Sequence, residues 1–297
     1  MADYTSQFSI RRLWIILAVG MAIMFGALLY FGAQIYHSKP PMPGAVRSAS
    51  GEILYSGEEV QRGQSVWQST GGMQQGSIWG HGGYVAPDWS ADWLHREAVA
   101  LRQRIAGTDF DAMPEPEQAR VGAILKREMR TNGYDPQTTV ITVSDQRAAA
   151  IKATAAHFED LFTNRTPADQ HLRELYAMPQ HAVLTKDEAH ALSGFIFWTA
   201  WATAAERPGD TISYTSNWPH EPLVGNTPTG AIFLWSFLSI FVLLGSIGAL
   251  VWYYAREFDV WRDDLEPEQG FALSDVLDGA TVTPSMRATA KYFFVVT

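Results

Sequence analysis

The sequence predicts a mainly α-helical membrane protein in which two transmembrane helices flank one extracytoplasmic domain. Two apolar runs without charged residues carry this prediction, and they occupy residues 13–36 and 231–254. Each run has about 24 residues, which in a helix is about 36 Å and enough to cross a hydrocarbon core of about 30 Å. Residues 37–230 lie between them and contain repeated helix start signals, which are typical of a folded domain.

The first apolar run is a membrane span rather than a cleaved signal peptide. It is longer than the apolar core of a signal peptide, and it ends in QIYHSKPP instead of a small-residue cleavage site. Arg11 and Arg12 precede this run, and Arg256 and Arg262 follow the second run, whereas Lys39 is the basic residue closest to the opposite ends. Because positive residues remain on the cytoplasmic side, both ends of the chain are predicted to be cytoplasmic.

The remaining segments complete the predicted domain plan. Residues 1–12 form a cytoplasmic N-terminus and residues 255–290 a second cytoplasmic segment. Residues 291–297 contain the apolar string YFFVVT and are interpreted as the start of a truncated third transmembrane helix. The alternative interpretation is a short tail that lies in the membrane interface.

Composition excludes several kinds of site. The chain has 31 acidic and 22 basic residues, a net charge of −9 and no cysteine, so it lacks disulfides, thiolate metal ligands and C-x-x-C-H haem attachment. An acidic chain without basic runs is not expected to bind nucleic acid. Its eight histidines show no zinc-helix spacing, and neither a P-loop nor a G-x-S-x-G string is present. We therefore predict no catalytic residue and no cofactor-binding residue within this segment.

Helix caps and short apolar strings predict the elements of the domain. Capping boxes at Ser56–Glu59 and Thr185–Glu188 each begin a helix, and the second helix is apolar over about 16 residues. That apolar helix is either the core helix of the domain or a helix near the membrane. The strings EILY and TTVITV are strand candidates, and further helices are predicted over 92–106, 117–130, 145–162 and from Thr166-Pro167 onward.

A glycine-rich loop, GGMQQGSIWGHGGYVAPDW, is the least ordinary stretch of the domain. Its six glycines disfavour a helix, because glycine costs about 1 kcal/mol relative to alanine at each interior helix position. Its aromatic residues are too many for a solvated linker. The sequence therefore predicts a structured loop with a specific packing or binding role.

This loop resembles the N-terminal region of the quinol-dependent nitric oxide reductases of bacteria. The strings that carry the resemblance are GQSVWQSTGGMQQGSIWGHGGYVAPDWSADWLHRE and FIFWTAWATAAERPGDTISYTSNWPHEPLVGNTPTG, and it extends over essentially the whole chain. It implies that residues 37–230 form a cytochrome-c-like domain without haem c, which lies on the periplasmic, or extracytoplasmic, side of a bacterial inner membrane. It also implies a single-chain enzyme of the haem-copper-oxidase superfamily that reduces two NO to N2O and water.

The resemblance implies further components beyond this segment. The full-length family uses haem b, haem b3, non-haem iron, calcium and quinol as electron donor, and the segment itself is expected to hold none of the redox groups. The implied partners are the lipid bilayer, the remaining catalytic part of the reductase, quinol and NO, and a second copy in a homodimer. The domain would cover the catalytic part, and the segment alone would be inactive. The alternative is a self-standing two-span membrane-anchored binding or scaffold module.

In the related two-subunit reductases, C-x-x-C-H stands a few residues before a G-x-Y-x-A-P string. Counted back from Tyr84, that place here reads Gly72-Met73-Gln74-Gln75-Gly76. The resemblance thus implies a haem-attachment loop that has lost its haem, with Trp67, Trp79 and Met73 as candidates to fill the space. The alternative is that these are ordinary core side chains.

The same string implies a metal contact. In the two-subunit relatives its G-x-Y reaches a calcium ion, and the matching residues here are Gly82 and Tyr84. Calcium takes six to eight oxygen ligands, so the other ligands would come from the catalytic part. The alternative is a tight turn whose tyrosine caps the domain core.

Overall fold

The computed structural model describes residues 10–81, 86–179 and 183–257. The chain forms two compact units that divide between Ile232 and Phe233. The described residues form the helices α1 (Ile10–Ser38), α2 (Gly57–Ser69), α3 (Trp89–Ala106), α4 (Glu115–Arg130), α5 (Asp145–Thr163), α6 (Pro167–Leu175), α7 (Lys186–Ala204) and α8 (Gly230–Glu257). The strands are β1 (Ala45–Ser48), β2 (Ile53–Ser56), β3 (Tyr134–Asp135) and β4 (Val140–Val143).

The two predicted spans are long, exposed helices. The segments Trp14–Ser38 and Gly230–Trp252 are long and apolar enough to cross a membrane, and almost all residues of both segments are exposed. This matches the mainly helical membrane class that the sequence predicts. The inside–outside orientation stays a prediction, and residues 258–297, which include the predicted third span, lie outside the described residues.

The strands form a small mixed sheet in the order β2-β1-β4-β3. β1 pairs antiparallel with β2 and parallel with β4, and β4 pairs antiparallel with β3. Val46 and Ile141 are partners across the parallel pair, and both are completely buried. The strings EILY and TTVITV were predicted as strands and correspond to β2 and β4. The sequence did not predict β1 or β3.

Helix α7 is the core helix of the domain, which decides between the two positions predicted for it. Almost every residue from Ala189 to Ala204 is buried. α2 crosses α7 at close range, because a Cβ on Gly63 would lie 2.0 Å from the carbonyl oxygen of Ala191. Both predicted capping boxes are formed, with the Ser56 and Thr185 side chains each accepting a backbone N–H three residues on.

An ion pair between α3 and α5 lies in the interior of the domain. Nε of Arg147 donates to Oε1 of Glu97 at 2.7 Å, and the two side chains are 2% and 1% exposed. The indole N–H of Trp93 donates to the other Glu97 oxygen at 2.8 Å, and Nη1 of Arg147 donates to the carbonyl oxygen of Glu128 at 3.1 Å. These extra hydrogen bonds offset part of the cost of removing two charges from water, while the buried Nη2 of Arg147 has no hydrogen-bond partner among the described residues.

Candidate functional site

The glycine-rich loop is fixed by one carboxylate, that of Asp88. Its Oδ1 accepts the backbone N–H of Ala91 at 2.8 Å and so caps α3. Its Oδ2 accepts the hydroxyl of Ser77 at 2.7 Å and also the N–H of Gly80. The cap explains why α3 begins at Trp89, three residues before the predicted start at Asp92. One side chain therefore positions both the helix and the loop that precedes it.

Gly76 is the last residue of the string Gly72–Gly76, and the structure leaves no space for a side chain at this position. A Cβ on Gly76 would lie 1.8 Å from the indole nitrogen of Trp89. The Trp89 ring is completely buried and contacts the rings of Phe158, Phe162 and Tyr176 edge-on, with centroids 5.2–6.0 Å away. An indole thus fills the place that a histidine side chain at position 76 would need.

These residues do not fit a covalently attached haem. In the alignment that the resemblance implies, Gly72 and Gln75 take the positions of the two cysteines and Gly76 takes that of the axial histidine. The chain contains no cysteine for a thioether bond. The sequence analysis did not identify the role of Trp89. The available signal was a large aromatic residue directly after a helix-capping aspartate at the end of a glycine-rich loop.

The three side chains that were predicted to fill the space of a lost haem lie together, but they line an open cavity instead of filling it. Trp67, Trp79 and Met73 contribute to an apolar groove of about 570 Å³, which we call the aromatic groove and which is also lined by Phe195 and Trp198. Trp67 and Trp79 are partly buried, whereas Met73 is 52% exposed. The domain therefore has an open apolar groove beside the glycine-rich loop.

Trp79 is held at the groove by an unusual backbone conformation. Its φ is +56°, a left-handed conformation that is a genuine outlier for a bulky residue. The hydroxyl of Ser90 accepts its backbone N–H at 3.0 Å, and its indole N–H donates to the carbonyl oxygen of Thr199 at 2.9 Å. Its ring lies 5.9 Å from that of Trp198, whose indole N–H donates to the carbonyl oxygen of Pro41 at 2.9 Å. Strain of this kind concentrates at binding and catalytic sites.

A second cavity of about 350 Å³ adjoins the end of α1, and we call it the basic cleft. Its main lining residues are Ile35, Lys39, His81, Arg207, Tyr214 and Trp218. Nη2 of Arg207 donates to the carbonyl oxygen of Tyr214 at 2.8 Å, while its Nε is buried and has no hydrogen-bond partner among the described residues. Lys39 places its ammonium 4.1 Å from the ring centroid of Tyr36. The cleft therefore combines aromatic surface with two cations.

Away from the loop, a histidine and two carboxylates join three helices. Nδ1 of His190 lies 2.8 Å from Glu159, and its Nε2 lies 3.9 Å from Glu59. The hydrogen bond to Glu159, together with the charges of the neighbouring acids, raises the pKa of His190 above its usual value despite partial burial. Within the described ranges, no group of three or more histidines and acids could hold a metal ion. The predicted calcium contacts, Gly82 and Tyr84, lie outside the described residues.

Comparison with known proteins gives one family. The model of the NorB cytochrome c-like domain, from nitric oxide reductase, matches residues 43–220, which is more than half of the chain. No curated protein matches the sequence. The matched range runs from β1 through α7 and includes the Gly76–Trp89 contact and the groove residues Trp67, Trp79 and Trp198. The chain therefore belongs to the NorB family of nitric oxide reductases and carries its cytochrome c-like domain.

Proposed function

We propose that the chain is the N-terminal portion of a quinol:nitric-oxide oxidoreductase that reduces two NO to N2O and water in a bacterial inner membrane. The family match over residues 43–220 carries this proposal. The two candidate spans support a membrane location. The haem b, haem b3 and non-haem iron would be held by the remaining catalytic part, which this chain does not supply.

In this proposal the cytochrome c-like domain is a structural cover and does not carry electrons. The contact between Gly76 and Trp89 supports this role, because it leaves no space for the side chain of an axial ligand at position 76. Without cysteine there is also no covalent attachment of haem. Electrons would then enter from quinol within the membrane, and Gly82 and Tyr84 would help to hold a calcium ion together with ligands from the catalytic part.

The electron donor provides the test. The chain joined to the coding sequence that follows Thr297 is expressed in membranes, and N2O production from NO is measured with reduced quinol and, in parallel, with reduced cytochrome c. We expect N2O with quinol only, and no covalent haem after denaturing electrophoresis. The 297-residue chain alone serves as the control and should produce no N2O.

Two results would contradict the proposal. Activity with cytochrome c but not with quinol would assign a different electron donor. A sequence after Thr297 that lacks histidine-bearing spans, with no N2O from any form of the protein, would instead favour a membrane-anchored binding or scaffold module.

A further inference from the structure

The aromatic groove and the basic cleft meet at the end of α1. Lys39, Pro40, Trp79 and His81 line both cavities. Lys39 and Pro40 directly follow Ser38, the last residue of α1. The two cavities are therefore adjacent parts of one surface at the point where the domain joins its first helix.

The position of this surface determines which molecules can reach it. Ile35, which is 69% exposed and belongs to the apolar segment of α1, lines the basic cleft. If α1 crosses the bilayer as we propose, the cleft begins at the membrane surface and the groove continues from it along the domain. Lipid molecules are then the closest and most concentrated neighbours of both cavities.

Charge favours an anion in the cleft. Lys39 and Arg207 both line it, and neither cavity has an aspartate or glutamate among its described lining residues. This is unexpected in a chain with a net charge of −9, where acids outnumber bases.

The groove favours an apolar chain. Its walls include the side chains of Trp67, Met73, Trp79, Phe195 and Trp198. Tryptophan and tyrosine are enriched where bilayer headgroups meet acyl chains, and methionine adapts to irregular apolar surfaces. A molecule with an anionic head and an apolar tail would match the cleft and the groove together.

We propose that the two cavities bind one anionic phospholipid, with its phosphate at Lys39 and Arg207 and an acyl chain in the aromatic groove. The site rests on the proposal that α1 spans the membrane. It goes beyond the role of a structural cover, because it makes the domain a lipid-selective contact at the membrane surface.

Quenching of tryptophan fluorescence by brominated lipid tests the site, because three of the groove side chains are tryptophans. The 297-residue chain is placed in phosphatidylcholine nanodiscs that contain a small fraction of either brominated phosphatidylglycerol or brominated phosphatidylcholine. We expect stronger quenching by the brominated phosphatidylglycerol. In the paired variant Lys39→Gln/Arg207→Gln, the concentration of brominated phosphatidylglycerol needed for half-maximal selective quenching should rise about thirty-fold. The reason is that each cation near an anionic lipid contributes about 1 kcal/mol.

A charge-matched control separates the site from general attraction to an anionic surface. Arg104→Gln/Lys186→Gln removes the same charge from exposed positions, and its selective quenching should stay at the wild-type level. Equal quenching by the two brominated lipids, or equal loss in both paired variants, would overturn the lipid site. If the cleft variant does not fold, a competition experiment with the wild-type chain replaces it. Unbrominated phosphatidylglycerol should then relieve the selective quenching, and quenching that persists would overturn the lipid site.

The same measurement tests the lipid site and the proposed membrane spans independently of each other. Trp14, Trp235 and Trp252 lie on the two apolar helices and report contact with any brominated lipid. No quenching by either lipid would overturn the span and the site together. Normal quenching of these tryptophans without selectivity would overturn the site alone, and would leave the aromatic groove as a surface for the rest of the reductase.

Discussion

The two sides of the glycine-rich loop contain similar aromatic residues but pack them differently. On the interior side of the loop, the ring of Trp89 fills the space beside Gly76. A Cβ on Gly76 would lie 1.8 Å from the indole nitrogen of Trp89. On the other side of the loop, Trp79 and Trp198 both line the open aromatic groove, with ring centroids 5.9 Å apart and ring planes tilted by 53°. Aromatic composition alone therefore does not decide whether a region is closed or open. On the closed side, the absence of a side chain at Gly76 lets the ring of Trp89 approach the backbone this closely.

The largest expected effect comes from disturbing the closed side. Gly76→Ala should lower the free energy of unfolding of the domain by about 2–3 kcal/mol, because the new methyl group forces Trp89 or the loop to move. This corresponds to a decrease in Tm of roughly 5–10 °C, measured by circular dichroism.

Gly122 in α4 gives a matched control, because nothing lies within 4 Å of its Cβ position. Gly122→Ala should be neutral or stabilise the protein slightly. Adding Trp89→Phe to Gly76→Ala should cost less than the sum of the two single changes, since the shorter ring relieves the same contact. Strict additivity would mean that Gly76 and Trp89 are not coupled, and the closed side would lose its explanation.

A smaller effect is expected on the open side. Trp198→Phe removes the hydrogen bond to the carbonyl oxygen of Pro41, a loss of about 1 kcal/mol in the free energy of unfolding. The ring that replaces it can still cover the groove wall. If this change destabilises the domain more than Gly76→Ala does, the groove is packed as tightly as the interior and the comparison fails.

The smallest effect belongs to His190, which lies half-exposed beside Glu159 and Glu59. Since its pKa is raised in the folded state, protonation of His190 stabilises the fold. That contribution is complete below the unfolded pKa of about 6.5 and is lost as the pH rises through the higher folded value. The Tm difference between wild type and His190→Gln should therefore be larger at about pH 5.5 than at about pH 8.5.

His171→Gln is the control for this pH dependence, because His171 is 73% exposed and lies 4.0 Å from Glu174. Its Tm difference from wild type gives the effect of replacing an exposed imidazole, and the difference for His190→Gln is compared with it at the same two pH values. A pH-independent difference for His190→Gln would show that the histidine acts through packing against Tyr55 rather than through its charge.

Local signals predicted much of this fold. The capping boxes at Ser56 and Thr185 fixed where α2 and α7 begin, because the cap depends on side chains within three residues. The apolar runs predicted the two exposed helices for the same local reason. The pairing of β1 with β4 was not predicted, since it joins Val46 to Ile141 across about half of the domain sequence and no local pattern specifies such a partner.

The candidate site was predicted in part. The resemblance singled out Trp67, Met73 and Trp79, and the structure brings all three to one groove. It did not identify Trp89 or the cations of the basic cleft. Arg207 is far from Lys39 in sequence, and only the folded chain places both beside the end of α1.

The buried ion pair between Glu97 and Arg147 has a consequence for how α3 and α5 can slide past each other. A shift by one helical turn, about 5.4 Å, would separate the two charges and leave both in an apolar interior. Apolar side chains such as leucine tolerate such a shift far better, because any apolar neighbour suffices for them. The pair thus selects a single register of the two helices, and with it the position of Trp89 against Phe158 and Phe162.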